Sequence, residues 1–93
     1  IGGSFSNTGG SFTHNSGTIK LTSTSADSIG LGGSDAYNLT FDGIGSWTFS
    51  DTNATTTNNI TITQGSVTLP SGTTAIGGSF SNTGGSFTHN SGT

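Results

Sequence analysis

The sequence contains no cysteine and no methionine, only one proline, and a single basic residue, Lys20. Without cysteine, neither disulfides nor thiolate metal sites can form. One basic side chain cannot neutralise the several phosphates that a nucleic-acid partner presents, so nucleic-acid binding is excluded. No run approaches the ~18 apolar residues of a membrane-spanning helix, and none is predicted. Because methionine is absent, we expect these 93 residues to be a section of a longer polypeptide.

Charge and hydrophobicity are both low. Charged residues make up 5% of the chain and hydrophobic residues 26%, while Gly, Ser, Thr and Asn fill most of the remainder. Such a balance can indicate disorder. Against that, the chain carries six Phe together with many Ile and Thr, which favour strands. Glycines interrupt every possible helical face, so the composition favours a folded, all-β chain.

One long stretch occurs twice. The eighteen residues IGGSFSNTGGSFTHNSGT occupy Ile1 to Thr18 and return unchanged from Ile76 to Thr93. A perfect copy at a fixed offset is typical of a tandem array. We therefore divide the chain into residues 1–75, one repeat unit of four rungs, and residues 76–93, the first rung of the next unit.

A finer period of about 20 residues lies inside the unit. It divides the unit into segments 1–18, 19–37, 38–58 and 59–75, each with two short strands. Hairpins of a sandwich and coils of a β-solenoid share this spacing, but only a solenoid stacks like residues in register. Leu39, Ile60 and Phe80 form one such stack, and Trp47, Val67 and Phe87 form another.

The fold prediction is therefore all-β: a parallel β-solenoid of about five rungs of 17–21 residues, with right-handed crossovers. The predicted core ladder consists of Phe5, Phe12, Ile19, Leu21, Ile29, Leu39, Phe41, Trp47, Phe49, Ile60, Ile62, Val67, Leu69, Phe80 and Phe87. In this prediction Phe5 shares a column with Ile19–Leu21, and Ile29–Leu31 shares one with Trp47–Phe49. A rung buries its apolar residues only against neighbouring rungs, so the predicted partner is a further copy of the repeat, joined end to end or bundled laterally.

Four carboxylates are candidates for chemistry: Asp27, Asp35, Asp42 and Asp51. Glycoside hydrolysis needs two of them about 5–10 Å apart. Asp42 and Asp51 share a rung but flank its second strand, and FDGIG around Asp42 is typical of a turn. The segment LGGSDAY is similar to a Gly-rich calcium repeat, but its spacing departs from that pattern. We expect structural roles for these residues.

His14 and His89 are the same site in the two copies, surrounded by Asn, Ser and Thr. A catalytic or metal-binding histidine needs partners that this stretch lacks, which favours a solvated turn. No serine lies in a Gly-x-Ser-x-Gly elbow beside a base. We expect no catalytic residues, no metal site and no cofactor, and therefore no enzyme.

Three Asn-x-Thr sequences begin at Asn38, Asn53 and Asn59 and match the glycosylation sequon. Asn38 and Asn59 also begin equivalent strands, so we prefer a ladder of stacked amides for them. Trp47 and Tyr37 could serve a sugar-binding surface, but Trp47 falls in the inward column. ITIT and TSTS are similar to the Thr-x-Thr rows of ice-binding solenoids, although only some rungs carry them.

The segments GGSFTHNSGT, AYNLTFDG and NNITITQGSVTLPSGT together resemble the tandem β-solenoid repeats of large bacterial surface proteins of the autotransporter and filamentous-haemagglutinin type. The resemblance covers the whole chain and implies an extracellular or cell-surface location with a structural or adhesive role. It brings no functional residues, since such repeats act mainly as stalks. We expect a repeat of an extracellular filament or stalk, with an adhesin or glycan-binding module using exposed Ser, Thr and Asn as the alternative.

Overall fold

The computed structural model describes residues 1–93, which form nine strands and no helix. The strands are β1 (Phe5–Ser6), β2 (Thr18–Leu21), β3 (Ala26–Gly30), β4 (Asn38–Phe49), β5 (Ala54–Thr56), β6 (Ile60–Thr68), β7 (Thr74–Ile76), β8 (Phe80–Asn82) and β9 (Ser86–Thr88). Every strand pair is parallel. The predicted all-β parallel solenoid is confirmed, with about four turns where we predicted about five rungs. No segment is a long apolar helix that could cross a membrane.

The strands stack in three columns. Column A contains β2, the first half of β4, the first half of β6, and β8, with Ile19, Leu39, Ile60 and Phe80 in register. Column B contains β3, the second halves of β4 and β6, and β9, with Asp27, Trp47, Val67 and Phe87 in register. Column C contains β5 and β7, with Ala36, Thr56 and Ile76 in register. Both predicted stacks, Leu39–Ile60–Phe80 and Trp47–Val67–Phe87, lie in register.

Strand β4 joins columns A and B without an intervening turn. Its 12 residues alternate, so Leu39, Phe41, Trp47 and Phe49 are buried. The register shifts between Phe41 and Ser46, where Gly43 and Gly45 lie against the carbonyls of the previous turn. The prediction of a turn at FDGIG is wrong, because a bulge lets the strand bend through this corner while it stays paired.

The core lies between the columns and matches the predicted ladder in its middle. Buried residues from that ladder are Leu21, Ile29, Leu39, Phe41, Trp47, Phe49, Ile60, Ile62 and Val67. Phe5, Phe12, Ile19 and Leu69 are partly buried against them. Leu31, Ala36 and Ala54 also belong to the core although we did not predict them. Phe80 and Phe87, in the last of the turns formed by residues 1–93, are exposed.

Of the two further column predictions, one is confirmed and one is wrong. Ile29 shares column B with Trp47–Phe49 as predicted, in register with Phe49, and the polar Asp27 lies beside Trp47. Phe5 pairs with Ile29 in column B, not with the column A residues of β2. Phe12 belongs to no strand. Apolar matching alone assigned these positions, and the structure instead keeps strand pairing continuous through a polar residue.

Candidate assembly interface

The repeated eighteen residues adopt the same local structure in both copies. Phe5 and Phe12 pack edge to face with ring centroids 5.4 Å apart. Phe80 and Phe87 repeat the arrangement at 5.1 Å. An aromatic pair seven residues apart on one rung therefore forms whether or not its neighbours are the same.

Each copy also contains the same histidine turn. Ser16 N donates to Nδ1 of His14 over 2.8 Å, and Ser91 N donates to Nδ1 of His89 over 2.9 Å. The Asn-Ser pair that follows each histidine has positive φ in both copies, between 51° and 57°. The two histidines thus act as acceptors that close a turn, which accounts for their place in the sequence.

An asparagine turn precedes the histidine turn in each copy. Asn7 Oδ1 accepts from Gly10 N over 3.2 Å, and Asn82 Oδ1 accepts from Gly85 N over 2.9 Å. With the histidine turn and the aromatic pair, this makes three local features that the two copies share. The shape of this rung is therefore set largely by its own residues.

The two copies nevertheless lie in different columns. In the first copy, Ile1 N donates to Lys20 O and Ile1 O accepts from Thr22 N, so Ile1 lies beside Leu21 in column A. Phe5 follows in column B. Phe12 N donates to Ser34 Oγ, at the approach to column C.

The second copy is displaced by one column. Ile76 pairs with Thr56 in column C, Phe80 with Ile60 in column A, and Phe87 with Val67 in column B. Between Ile1 and Ile76 the chain therefore completes about three and two-thirds turns, where the sequence predicted four rungs. The missing third arises because turns stack at 20 residues over most of the molecule while the copies are 75 apart.

The two copies show opposite edges of the same rung. In the second copy, Gly77 N donates to Thr56 O, Ser79 O accepts from Ile60 N, and Thr83 N donates to Ile62 O, all toward the previous turn. Alternate residues of a strand direct their backbone groups to opposite edges. Ile76, Phe80 and Asn82 consequently direct theirs to the open end. Their counterparts in the first copy, including Ile1 and Asn7, make backbone bonds toward the following turn.

Both ends of the solenoid expose apolar surface. At the carboxyl end an open cavity of about 280 Å³ is lined by Leu69, Thr74, Ile76, Phe80, Phe87 and Thr93. Phe87 is 45% exposed and Phe80 38%. At the amino end a cavity of about 240 Å³ is lined by Phe5, Phe12, Thr13, His14, Gly17, Thr18 and Ile19. These two ends are the candidate assembly interface.

Three of the four acidic residues, Asp27, Asp42 and Asp51, contact neighbouring turns. The Asp51 carboxylate accepts from Leu31 N over 2.7 Å and from Gly32 N over 3.0 Å. Asp27 accepts from Ser4 Oγ over 3.3 Å, and its Oδ2 is buried without a partner. Both contacts cross from one turn to the next, so the carboxylates join turns instead of clustering.

Asp42 also joins turns. It forms an ion pair with Lys20 of the previous turn at 3.3 Å and accepts from Gln64 Nε2 of the next turn over 3.0 Å. Asp35 makes no hydrogen bond or ion pair with a side chain. No group of three His, Asp or Glu side chains comes together in a way that could hold a metal ion.

The amide ladder starts one residue from its predicted place. Asn38 Oδ1 accepts from Asn58 Nδ2 over 2.8 Å and from the backbone N of Asn59 over 3.2 Å. The Asn59 side chain instead accepts from Ser79 N, and Asn53 likewise accepts from Thr73 N. The predicted pairing of the Asn38 and Asn59 amides is wrong, because the Asn59 side chain bonds to the next turn.

Trp47 is fully buried and Tyr37 is half-buried, with its ring 5.1 Å from that of His14. The hydroxyl rows are more regular than the sequence predicted. Ser28, Thr48, Thr68 and Thr88 are in register on the outer side of column B, and Ser46, Ser66 and Ser86 form a second row beside them. The TSTS and ITIT motifs did not predict this face, because the hydroxyl residues of the rows alternate with buried residues along each strand.

The contacts that sequence reasoning missed are those of Asn7, Ser34 and Gly32. Asn7 Nδ2 donates to Leu31 O over 3.1 Å and to Ser34 Oγ over 3.4 Å. A side chain on Gly32, which has φ of 64°, would overlap the Asn7 carbonyl. The copied stretch was the available signal, since Asn7 recurs as Asn82. No family model, no curated protein and no solved structure matches this chain.

Proposed function

We propose that the chain is a structural repeat of an extracellular filament or cell-surface stalk, assembled by end-to-end stacking of β-solenoid turns. The observation that carries the proposal is the pair of open ends. Both expose apolar residues of the same eighteen-residue sequence, and each presents an edge that the other copy uses for pairing.

Open edges of this kind favour association. A strand at the end of a ladder presents unpaired N–H and C=O groups that can pair with another chain. Exposed apolar side chains add a driving force, since covering them removes their surface from water. Phe80 and Phe87 supply that surface at the carboxyl end, and Ile1, 47% exposed, supplies it at the amino end.

The resemblance to repeats of large bacterial surface proteins supports the extracellular location. A chain with 5% charged residues and a surface of Ser, Thr and Asn is consistent with a stalk that interacts chiefly with copies of itself. Further copies are the proposed partners, with lateral bundling as a second mode of contact.

The test compares two exposed apolar residues. Phe87 lies at the open end, while Ile44, 75% exposed, lies in the middle of the chain on the bulge of β4. Phe87→Lys places a charge in the end contact and should abolish assembly. Ile44→Lys, the matched control, should leave it intact. Sedimentation velocity over a concentration series, with electron microscopy of the assemblies, measures both.

A parent chain that stays monomeric at the highest attainable concentration would contradict the proposal. Equal loss of assembly in both variants would also contradict it, since side-to-side contact would then be responsible. Circular dichroism of each variant verifies that the monomer keeps its strands.

The hydroxyl rows of column B favour a second candidate, a glycan-binding face. Thr48, Thr68 and Thr88 present their side chains at the strand spacing of about 4.8 Å, and Ser66 Oγ lies 3.0 Å from Ser86 Oγ. Glycan-array binding that is lost in Thr48→Val and retained in Phe87→Lys would favour this candidate. Thr48→Val conserves the shape and removes only the hydroxyl.

A further inference from the structure

We propose that Ile76–Thr93 of one chain binds a second copy of this chain in the place of that copy's own Ile1–Thr18. The inference rests on the proposed function and names the contact through which two chains join. It follows from two observations. The same eighteen residues form the first and the last rung, and the two copies leave opposite edges unpaired.

The receiving surface is formed by residues 20–34, which we call the seat. In the single chain Ile1–Thr18 occupies it. Ser28 N donates to Ser4 Oγ over 3.0 Å, and Asn7 N donates to Gly30 O over 2.9 Å. The Asn7 side chain reaches Leu31 O over 3.1 Å. The seat therefore recognises a serine and an asparagine three residues apart on an extended strand.

The carboxyl-terminal copy carries those same groups as Ser79 and Asn82. Its backbone shape is already that of the first copy, as shown by the asparagine turn, the histidine turn and the aromatic pair. One side-chain bond must change, because Asn82 Nδ2 donates to Gly85 O whereas Asn7 Nδ2 donates to Leu31 O. The preformed backbone lowers the ordering cost of association.

The backbone edges are complementary as well. Gly77, Ser79 and Thr83 are engaged with the previous turn of their own chain. The alternate residues Ile76 and Asn82 direct their groups outward, and their counterparts Ile1 and Asn7 are the ones that bond to the seat. One rung can thus pair with its own chain through one edge and with a second copy through the other.

The exchange conserves the contacts of the seat, because Phe80 and Phe87 become covered there while Phe5 and Phe12 of the displaced segment, which pack against the core, become exposed. The term that favours the exchange is conformational entropy. The displaced Ile1–Thr18 regains conformational freedom. Its strand β1 has 2 residues, fewer than the 3 each of β8 and β9 in the second copy.

The exchange sets the geometry of the assembly. Because the two copies of the rung differ by one column, each added chain is rotated by about a third of a turn about the solenoid axis. Three and two-thirds turns at the strand spacing of about 4.8 Å give an axial step of roughly 18 Å.

The test uses thiols, which the native chain lacks. Ser79→Cys is mixed with Ser28→Cys under mild oxidation, and in a second mixture with Ser4→Cys. Exchange places residue 79 beside residue 28 of the next chain, within the Cα separation of about 4.4–6.8 Å that a disulfide needs. Stacking of the carboxyl-terminal copy on an undisplaced first copy, each residue on its identical counterpart, would place it beside residue 4. Dimers are read by non-reducing electrophoresis and mass spectrometry, with Ser66→Cys/Ser86→Cys in one chain as the control for parallel neighbours.

We expect most of the 79–28 mixture, and little of the 79–4 mixture, to become disulfide-linked. Assemblies that link only 79 to 4 overturn the exchange and leave the proposed function standing. Assemblies that link neither pair, while the control oxidises, also overturn the exchange. If the chain does not assemble at all, the proposed function is contradicted together with it.

Discussion

Identical residues in the two copies have different surroundings. Gly2 and Gly77 occupy the same position of the repeated rung, yet only Gly77 is enclosed. A Cβ on Gly77 would overlap the Thr57 carbonyl, whereas a Cβ on Gly2 would have no atom within 4 Å. The requirement for glycine thus arises from the neighbouring turn and not from the local sequence.

Gly77→Ala should therefore destabilise the chain by about 1–3 kcal/mol, because the backbone of one turn must move away from the next. Gly2→Ala, the matched control, should change the free energy of unfolding by less than about 0.5 kcal/mol. Urea unfolding of dilute monomer measures both. Equal losses would contradict the stacking of Gly77 on Thr57.

Asp51 and Asp35 provide a second comparison between residues of the same type. Asp51 accepts from two backbone N–H groups of the previous turn. Asp51→Ala leaves both donors without that partner and should cost about 1–3 kcal/mol. Asp35→Ala removes no such contact and should have little effect. Thermal unfolding of both variants at one pH measures the effect. A similar decrease in Tm for the two variants would indicate that the Asp51 contact is unimportant.

Each column combines well-packed middle positions with uncovered end positions. Phe41 and Phe80 both belong to column A, but Phe41 is fully buried while Phe80 is 38% exposed. The core is therefore strongest in β4 and β6, which have paired strands on both sides. The end strands lack a paired strand on one side.

Phe41→Ala should lower the free energy of unfolding by about 3–5 kcal/mol, the range for a fully buried phenylalanine. Phe80→Ala removes the same atoms from a partly exposed position, so it should lower the free energy of unfolding by clearly less than Phe41→Ala does. Denaturant unfolding under monomeric conditions provides the measurement. In the assembled state the difference should narrow, because a second copy covers Phe80.

The whole molecule behaves as a short stack whose stability comes from contacts between turns. Only inner turns are covered on both sides, and stacked repeats of this kind gain stability from each neighbour. Local opening is consequently expected to be least frequent in the middle of the chain.

Amide hydrogen exchange should therefore show the strongest protection in β4 and β6 and the weakest in Ile1–Thr18 and Ile76–Thr93. Upon assembly, protection should rise in Ile76–Thr93. It should stay low in Ile1–Thr18 of chains whose segment has been displaced. Uniform protection along the monomer would contradict the dependence on neighbouring turns.

The sequence predicted the fold class and the two main stacks because its signal is periodic. Leu39, Ile60 and Phe80 recur at nearly constant spacing, and β-branched and aromatic residues favour strands. It failed where a polar residue faces inward, as Asp27 does beside Trp47, and where a bulge replaced a turn at Gly43. Apolar periodicity carries no information about either feature.

Residue spacing and identity are sufficient to predict the all-β class, the parallel stacking near 20 residues, and the recurrence of one rung. The different columns of the two copies, and the opposite edges that they present, become visible in the folded chain alone. The column in which each copy lies depends on the number of residues at each corner. That number is set by strand pairing, through hydrogen bonds between turns. Such contacts join residues far apart in the chain, so no local pattern reveals them.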